Sequence, residues 1–152
     1  MIDQIRQWLS GEPTEGAEGD EVQLALCALL IEAANSDHHF DDAERNVIGE
    51  MLKRRFSLSA AEARALVAAG ERAAEASAEL FHFTRIINER LSPAERIELI
   101  EMLWEVAYAD GSLDEFEDSL IRRIGGLVYV PDPERGAARR RVLQRHGLDD
   151  QI

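Results

Sequence analysis

The chain has 152 residues, enough for one domain or two small halves sharing a core. A net charge of −13 disfavours nucleic acid, whose phosphates need a basic surface, and favours cations and basic protein patches as partners. Cys27 is the only cysteine, which rules out an internal disulfide and a thiolate zinc site and leaves a buried, inert thiol as the expectation.

Ala, Leu, Glu and Arg are abundant and Pro is rare, a composition that favours helix. Residues 1–19 read as a short helix and a linker, 20–147 as a helical domain and 148–152 as a tail. Ile2, Ile5, Trp8 and Leu9 have helical spacing, and Gly11 to Gly19 carries turn and linker residues. With neither a signal peptide nor an apolar run long enough to cross a bilayer, the chain reads as cytoplasmic.

From Glu21 to Ser36 nearly every position is apolar, as in a central, buried helix, with Glu32 the lone carboxylate in its middle. A second helix carries Val47, Ile48, Met51 and Leu52. Ser59-x-x-Glu62 is a capping box that opens an Ala-rich helix reaching about Ala76, weakened at Gly70. Leu80 to Leu91 forms an amphipathic helix. Ser92-Pro93-Ala94-Glu95 then repeats the capping box ahead of a second broadly apolar helix, Ile97 to Val106. On that helix Glu98, Glu101 and Glu105 mark one polar face. A further helix carries Leu120 to Val128. Asp132 and Pro133 suit the N-cap and first position of a last helix, rich in Arg, that stops near Gly147.

Two acidic stretches follow the two apolar helices. Asp37, Asp41 and Glu44 lie in one; Asp110, Asp114 and Glu117 lie in the other, each member 73 positions after its counterpart. Both fit Asp-x-x-apolar-Asp-x-x-Glu. Glu105 stands 73 positions after Glu32. The expected architecture is therefore all-α, about seven helices with an internally duplicated helix–acidic turn–helix core.

Two readings of the carboxylates stand side by side. In one, Asp41 with Glu44 and Asp114 with Glu117 are capping boxes at the positive ends of helices, while Asp37 and Asp110 close Asx-turns. In the other, the six carboxylates hold a hard cation. Asp110 to Glu117 matches the second half of an EF-hand loop, but Val106 and Tyr108 stand where its first half needs oxygen ligands, so a complete EF-hand is excluded. A partial oxygen site, completed by backbone, water, Glu32 or Glu105, would suit Ca²⁺, Mg²⁺ or Mn²⁺, and His38 or His39 would let Zn²⁺ compete. Glu79-x-x-His82 is a single Glu-x-x-His pair where a di-iron bundle needs two. Neither a Ser/His/Asp order nor a Gly-rich phosphate loop stands out, so no enzyme is expected.

The chain resembles the tellurite-resistance protein B (TerB) family between about Glu21 and Arg145. The resemblance is carried by Ala33-Ala34-Asn35-Ser36-Asp37 with Asp41 and Glu44; by Phe81-His82-Phe83-Thr84-Arg85-Ile86-Ile87-Asn88; by Leu103 to Gly111 with Leu113, Asp114 and Glu117; and by Ile121-Arg122-Arg123-Ile124 leading to Val130-Pro131. It implies an all-α, mainly seven-helix domain in bacterial tellurite-resistance or chemical-stress systems. It also implies a non-enzymatic role, divalent-metal binding through acidic residues and association with proteins of a membrane-associated stress-response complex, peripheral at the inner membrane, with a homodimer allowed. His38 departs from the family's usual Gly, which weakens the first metal site relative to the second.

Overall fold

The computed structural model describes residues 17–35, 41–76, 80–109 and 115–147. Among these there are seven helices and no strand: α1 (Ala17–Ala34), α2 (Asp42–Phe56), α3 (Ala60–Ala76), α4 (Leu80–Arg90), α5 (Pro93–Ala107), α6 (Glu115–Leu127) and α7 (Asp132–Arg145). The stretch from Met1 to Ser10, Glu79 and the 148–152 tail lie outside the described residues.

α1 is the centre of the bundle. Leu24 to Ile31 are all buried, and the helix packs against α2, α3, α4, α5 and α6. Burying one such Leu or Ile side chain contributes roughly 1.5–3 kcal/mol, so a helix apolar on every side is stable only with neighbours on every side. It starts at Ala17, inside the stretch that reads as linker; the burial downstream outweighs the low helix propensity of Gly19.

α5 is the second core helix. It buries Leu99, Ile100, Leu103, Trp104, Val106 and Ala107 and packs on α1 and α7. The helix ends carry the sequence repeat: Ala34 and Ala107 close α1 and α5 73 positions apart, and Asp42 and Glu115 open α2 and α6 at the same offset. Each acidic stretch thus joins a core helix to the helix that follows it.

The predicted caps are formed. Ser59 Oγ accepts the Glu62 N–H at 3.1 Å and Glu62 returns to the Ser59 N–H at 2.9 Å. Ser92 and Glu95 repeat this at 3.2 and 2.9 Å. At α7 the N-cap is Pro131 rather than Asp132: the Pro131 carbonyl accepts the Arg135 N–H, and the Asp132 carboxylate turns to the Arg135 guanidinium instead.

Gly70, predicted as a weak point, allows a close approach of α1 and α3: a Cβ there would lie 2.5 Å from Cys27 Sγ. Cys27 is fully buried and its thiol donates to the Leu66 carbonyl at 3.6 Å. Burial pushes the thiol up, with the Glu71 charge adding to the effect. Both facts bear out an inert cysteine.

Candidate functional site

The first acidic turn ends in a formed capping box. Asp41 Oδ1 accepts the Glu44 N–H at 2.8 Å, and Glu44 Oε1 lies 3.4 Å from the Asp41 N–H. The N-terminal N–H groups of α2 lack intrahelical acceptors, and these two carboxylates satisfy them at the positive end of the helix dipole. Capping takes one oxygen of Asp41, and Oδ2 has no hydrogen bond among the described residues.

Arg45, one turn into α2, is clamped by Glu71 of α3 through Nε at 2.8 Å and a terminal nitrogen at 3.0 Å, and also reaches Asp42 at 3.1 Å. The Glu71 hydrogen bond holds its guanidinium firmly protonated. This fork-on-carboxylate geometry ties α2 to α3 beside the turn.

Glu32 is the carboxylate of interest here. It is half-buried near the end of α1 and makes neither a hydrogen bond nor an ion pair among the described residues. Burial raises its pKa. It lines a cavity of about 230 Å³ with Asn35, Arg45, Glu71 and Glu75. Asp37, His38 and His39 lie outside the described residues.

The second copy differs. Glu105, the counterpart of Glu32, is engaged through both oxygens: Oε1 receives Arg145 at 2.7–2.8 Å and Oε2 lies 2.6 Å from His146 Nε2. Burial alone would raise its carboxyl, but the hydrogen bonds from His146 and Arg145 outweigh that and hold it below its ordinary value. As an outer metal ligand Glu105 is therefore disfavoured, because a cation would have to displace a bidentate set of donors. Glu117 is half-buried on the first turn of α6, and Asp110 and Asp114 lie outside the described residues.

Among the described residues no group of three or more His, Cys, Asp or Glu is placed to hold a metal ion. Three of the six candidate ligands, Asp37, Asp110 and Asp114, fall outside that set. The described carboxylates, Glu32, Asp41, Glu44 and Glu117, offer hard oxygens that suit Mg²⁺, Ca²⁺ or Mn²⁺ better than a thiophilic metal. His82 is half-buried with its ring edge-on to Phe83 at 5.2 Å, an ordinary packing role.

The last helix is docked rather than displayed. Arg141 and Arg145 pair with Glu101 at 3.3 and 3.1 Å, and Arg139 donates to the Tyr108 hydroxyl at 2.9 and 3.1 Å while lying 5.3 Å over the Trp104 ring. These pairs form a seam between α5 and α7 in which Arg141 and Arg145 stay partly exposed. The signal was present: Glu101 and Glu105 are four apart, and so are Arg141 and Arg145, which puts each pair on one helix face.

A bundle that, among the described residues, sets six helices around one apolar helix, with an acidic connection after each core helix, is a small helical module of acidic surface. The chain belongs to the TerB family: the family model for tellurite resistance protein TerB matches residues 23–140, which spans α1 to most of α7. Comparison with curated proteins and with solved structures gives no match.

Proposed function

We propose that this TerB-family domain is a non-enzymatic module of a bacterial tellurite-resistance or chemical-stress system. It binds divalent cations through Asp37, Asp41 and Glu44 and through Asp110, Asp114 and Glu117, and docks on basic surfaces of partner proteins in the cytoplasm or at the inner membrane. The observation that carries the cation reading is Glu32, a half-buried carboxylate with a raised pKa and no partner among the described residues, in a cavity it shares with Arg45 of the first turn of α2. A cation there would offset the burial that disfavours the charged form of Glu32. On this reading the first turn is the stronger site, the reverse of what His38 suggests, because Glu105 is already neutralised.

Calorimetric titration with Ca²⁺, Mg²⁺, Mn²⁺ and Zn²⁺, with thermal melts, tests it. A ligand that binds only the folded chain stabilises it by about 2.7 kcal/mol at a hundred times its Kd. Asn is also a good N-cap, so Asp41→Asn should leave the melting temperature of the metal-free protein nearly unchanged while cation affinity falls about tenfold. An unchanged melting temperature at millimolar cation would defeat the proposal.

A second reading is a metal-free adaptor whose acidic turns only cap helices, favoured by the complete Asp41–Glu44 box. It requires Asp41→Asn to change neither stability nor any cation response.

A further inference from the structure

We propose that the cleft between α5, α6 and the first turn of α7 binds a small dianionic oxyanion, for which inorganic phosphate is the simplest probe. The cleft encloses about 240 Å³, and Trp104, Arg122, Arg135, Arg139 and Gly136 lie along it with Asp132 as its one acidic residue among those described. Three guanidiniums, of which Arg122 is paired with Asp118 and Arg135 with Asp132, leave this cleft with one net positive charge on a chain whose net charge is −13.

The donors in this cleft are incompletely used. Trp104 is only 4% exposed, and its indole N–H has no acceptor. The Nε–H of Arg135 is likewise buried without one, although its terminal nitrogens are taken by the Arg122 carbonyl and the Asp132 carboxylate. A buried donor left unmade costs about 1–3 kcal/mol, and folded proteins rarely leave two in one place without a partner to meet them. Arg139 gives Nε and one terminal nitrogen to Tyr108, and Arg122 gives Nε to Asp118, so each keeps terminal N–H groups for another acceptor.

Three features select the ligand. Arg forks match the oxygens of phosphate and carboxylate groups. Donors that belong to three different helices suit a tetrahedral anion, which accepts from several directions, better than a planar monoanion. Asp132, Arg135 and Gly136 belong to the N-terminal turn of α7, a helix of 14 residues, where the dipole favours negative charge. Gly136 has no protein atom but Arg140 within 4 Å of where a Cβ would sit, which leaves room beside this turn.

The experiment is a titration of the folded chain, labelled with ¹⁵N, with inorganic phosphate at constant ionic strength. The sequence has two tryptophans, Trp8 and Trp104, so two indole N–H resonances are expected, and Trp104→Phe assigns them. The Trp104 resonance should shift saturably with phosphate and much less with acetate. Arg122→Gln, at an exposed position, should weaken phosphate binding about tenfold without unfolding the protein. Arg64→Gln, on the outer face of α3, is the control and should bind as the wild type does. A Trp104 resonance that stays still, moves equally with chloride, or titrates unchanged in Arg122→Gln overturns the proposal.

Discussion

Glu105 Oε2 lies 2.6 Å from His146 Nε2, so the residue just past the end of the last helix is tied back to the second core helix. Arg145 occupies the other oxygen of the same carboxylate. The contact spans 41 positions of sequence and closes the C-terminal end of the domain onto α5.

This clasp should be sensitive to acid. Folding lowers the Glu105 pKa from the unfolded value of 4.5, so at low pH the unfolded chain takes up the proton first. The stabilisation is therefore complete above 4.5 and is lost as pH falls through the lower folded value. Partly exposed ion pairs contribute about 1 kcal/mol or less, and Glu105→Gln should lose roughly that at pH 7 in urea unfolding. The gap between wild type and variant should narrow as the pH falls below 4.5.

Gly70→Ala should destabilise the fold by about 1–3 kcal/mol, although Ala is the better helix former. The new Cβ would lie 2.5 Å from Cys27 Sγ and 3.0 Å from Ile31 Cδ1, so α1 and α3 would have to part. Gly126→Ala, with nothing within 4 Å, should instead stabilise by about 0.5–1 kcal/mol. Adding Cys27→Ala to Gly70→Ala should recover part of the loss, since Cys27 Cβ remains at 3.2 Å. Thermal melts of the three variants against the wild type check the ordering.

Tyr129 ends α6 in the left-handed region, with φ of 58°. The Val130 N–H bonds to the Gly125 carbonyl and the Tyr129 N–H to the Gly126 carbonyl, the Schellman pattern, with Tyr where Gly is usual. The side chain is 74% exposed, so little packing would be lost on replacement. Tyr129→Gly should raise stability by about 0.5–1 kcal/mol, the relief of left-handed strain less the extra entropy that Gly loses on folding. An unchanged or lower midpoint in denaturant would mean that the side chain holds something in place.

The Cys27 thiol should resist labelling. Its burial and its raised pKa leave almost no thiolate at pH 8. Reaction with an alkylating reagent should be about a hundredfold slower in buffer than in denaturant, as global opening is needed first. Fast labelling in buffer would show that α1 and α3 separate locally.

Much of the fold was legible because its signals are local. The boxes at Asp41, Ser59 and Ser92 each span four residues and mark the helix starts. The all-round apolar run in α1 announced the core, and the 73-residue offset survives as coincident helix ends. The cap at α7 was read one residue late because Arg135, a turn further on, competes for the Asp132 carboxylate.

The candidate site was legible only as a composition of carboxylates. Glu32 and Glu105 are equivalent by position, yet one is unpartnered among the described residues and the other is neutralised by a helix some 40 positions away. Likewise the Arg-rich run is only a composition in the sequence, and the fold sets its guanidiniums against Glu101, Glu105, Tyr108 and Trp104.

The sequence by itself determined the helices, their caps and which of them must be buried, because these depend on neighbours three or four residues apart and on bulk hydrophobicity. The tertiary structure alone decided which charges are spent and which donors are left wanting. A carboxylate or an indole N–H acquires its chemistry from whatever the fold sets beside it, and those partners come from distant parts of the chain.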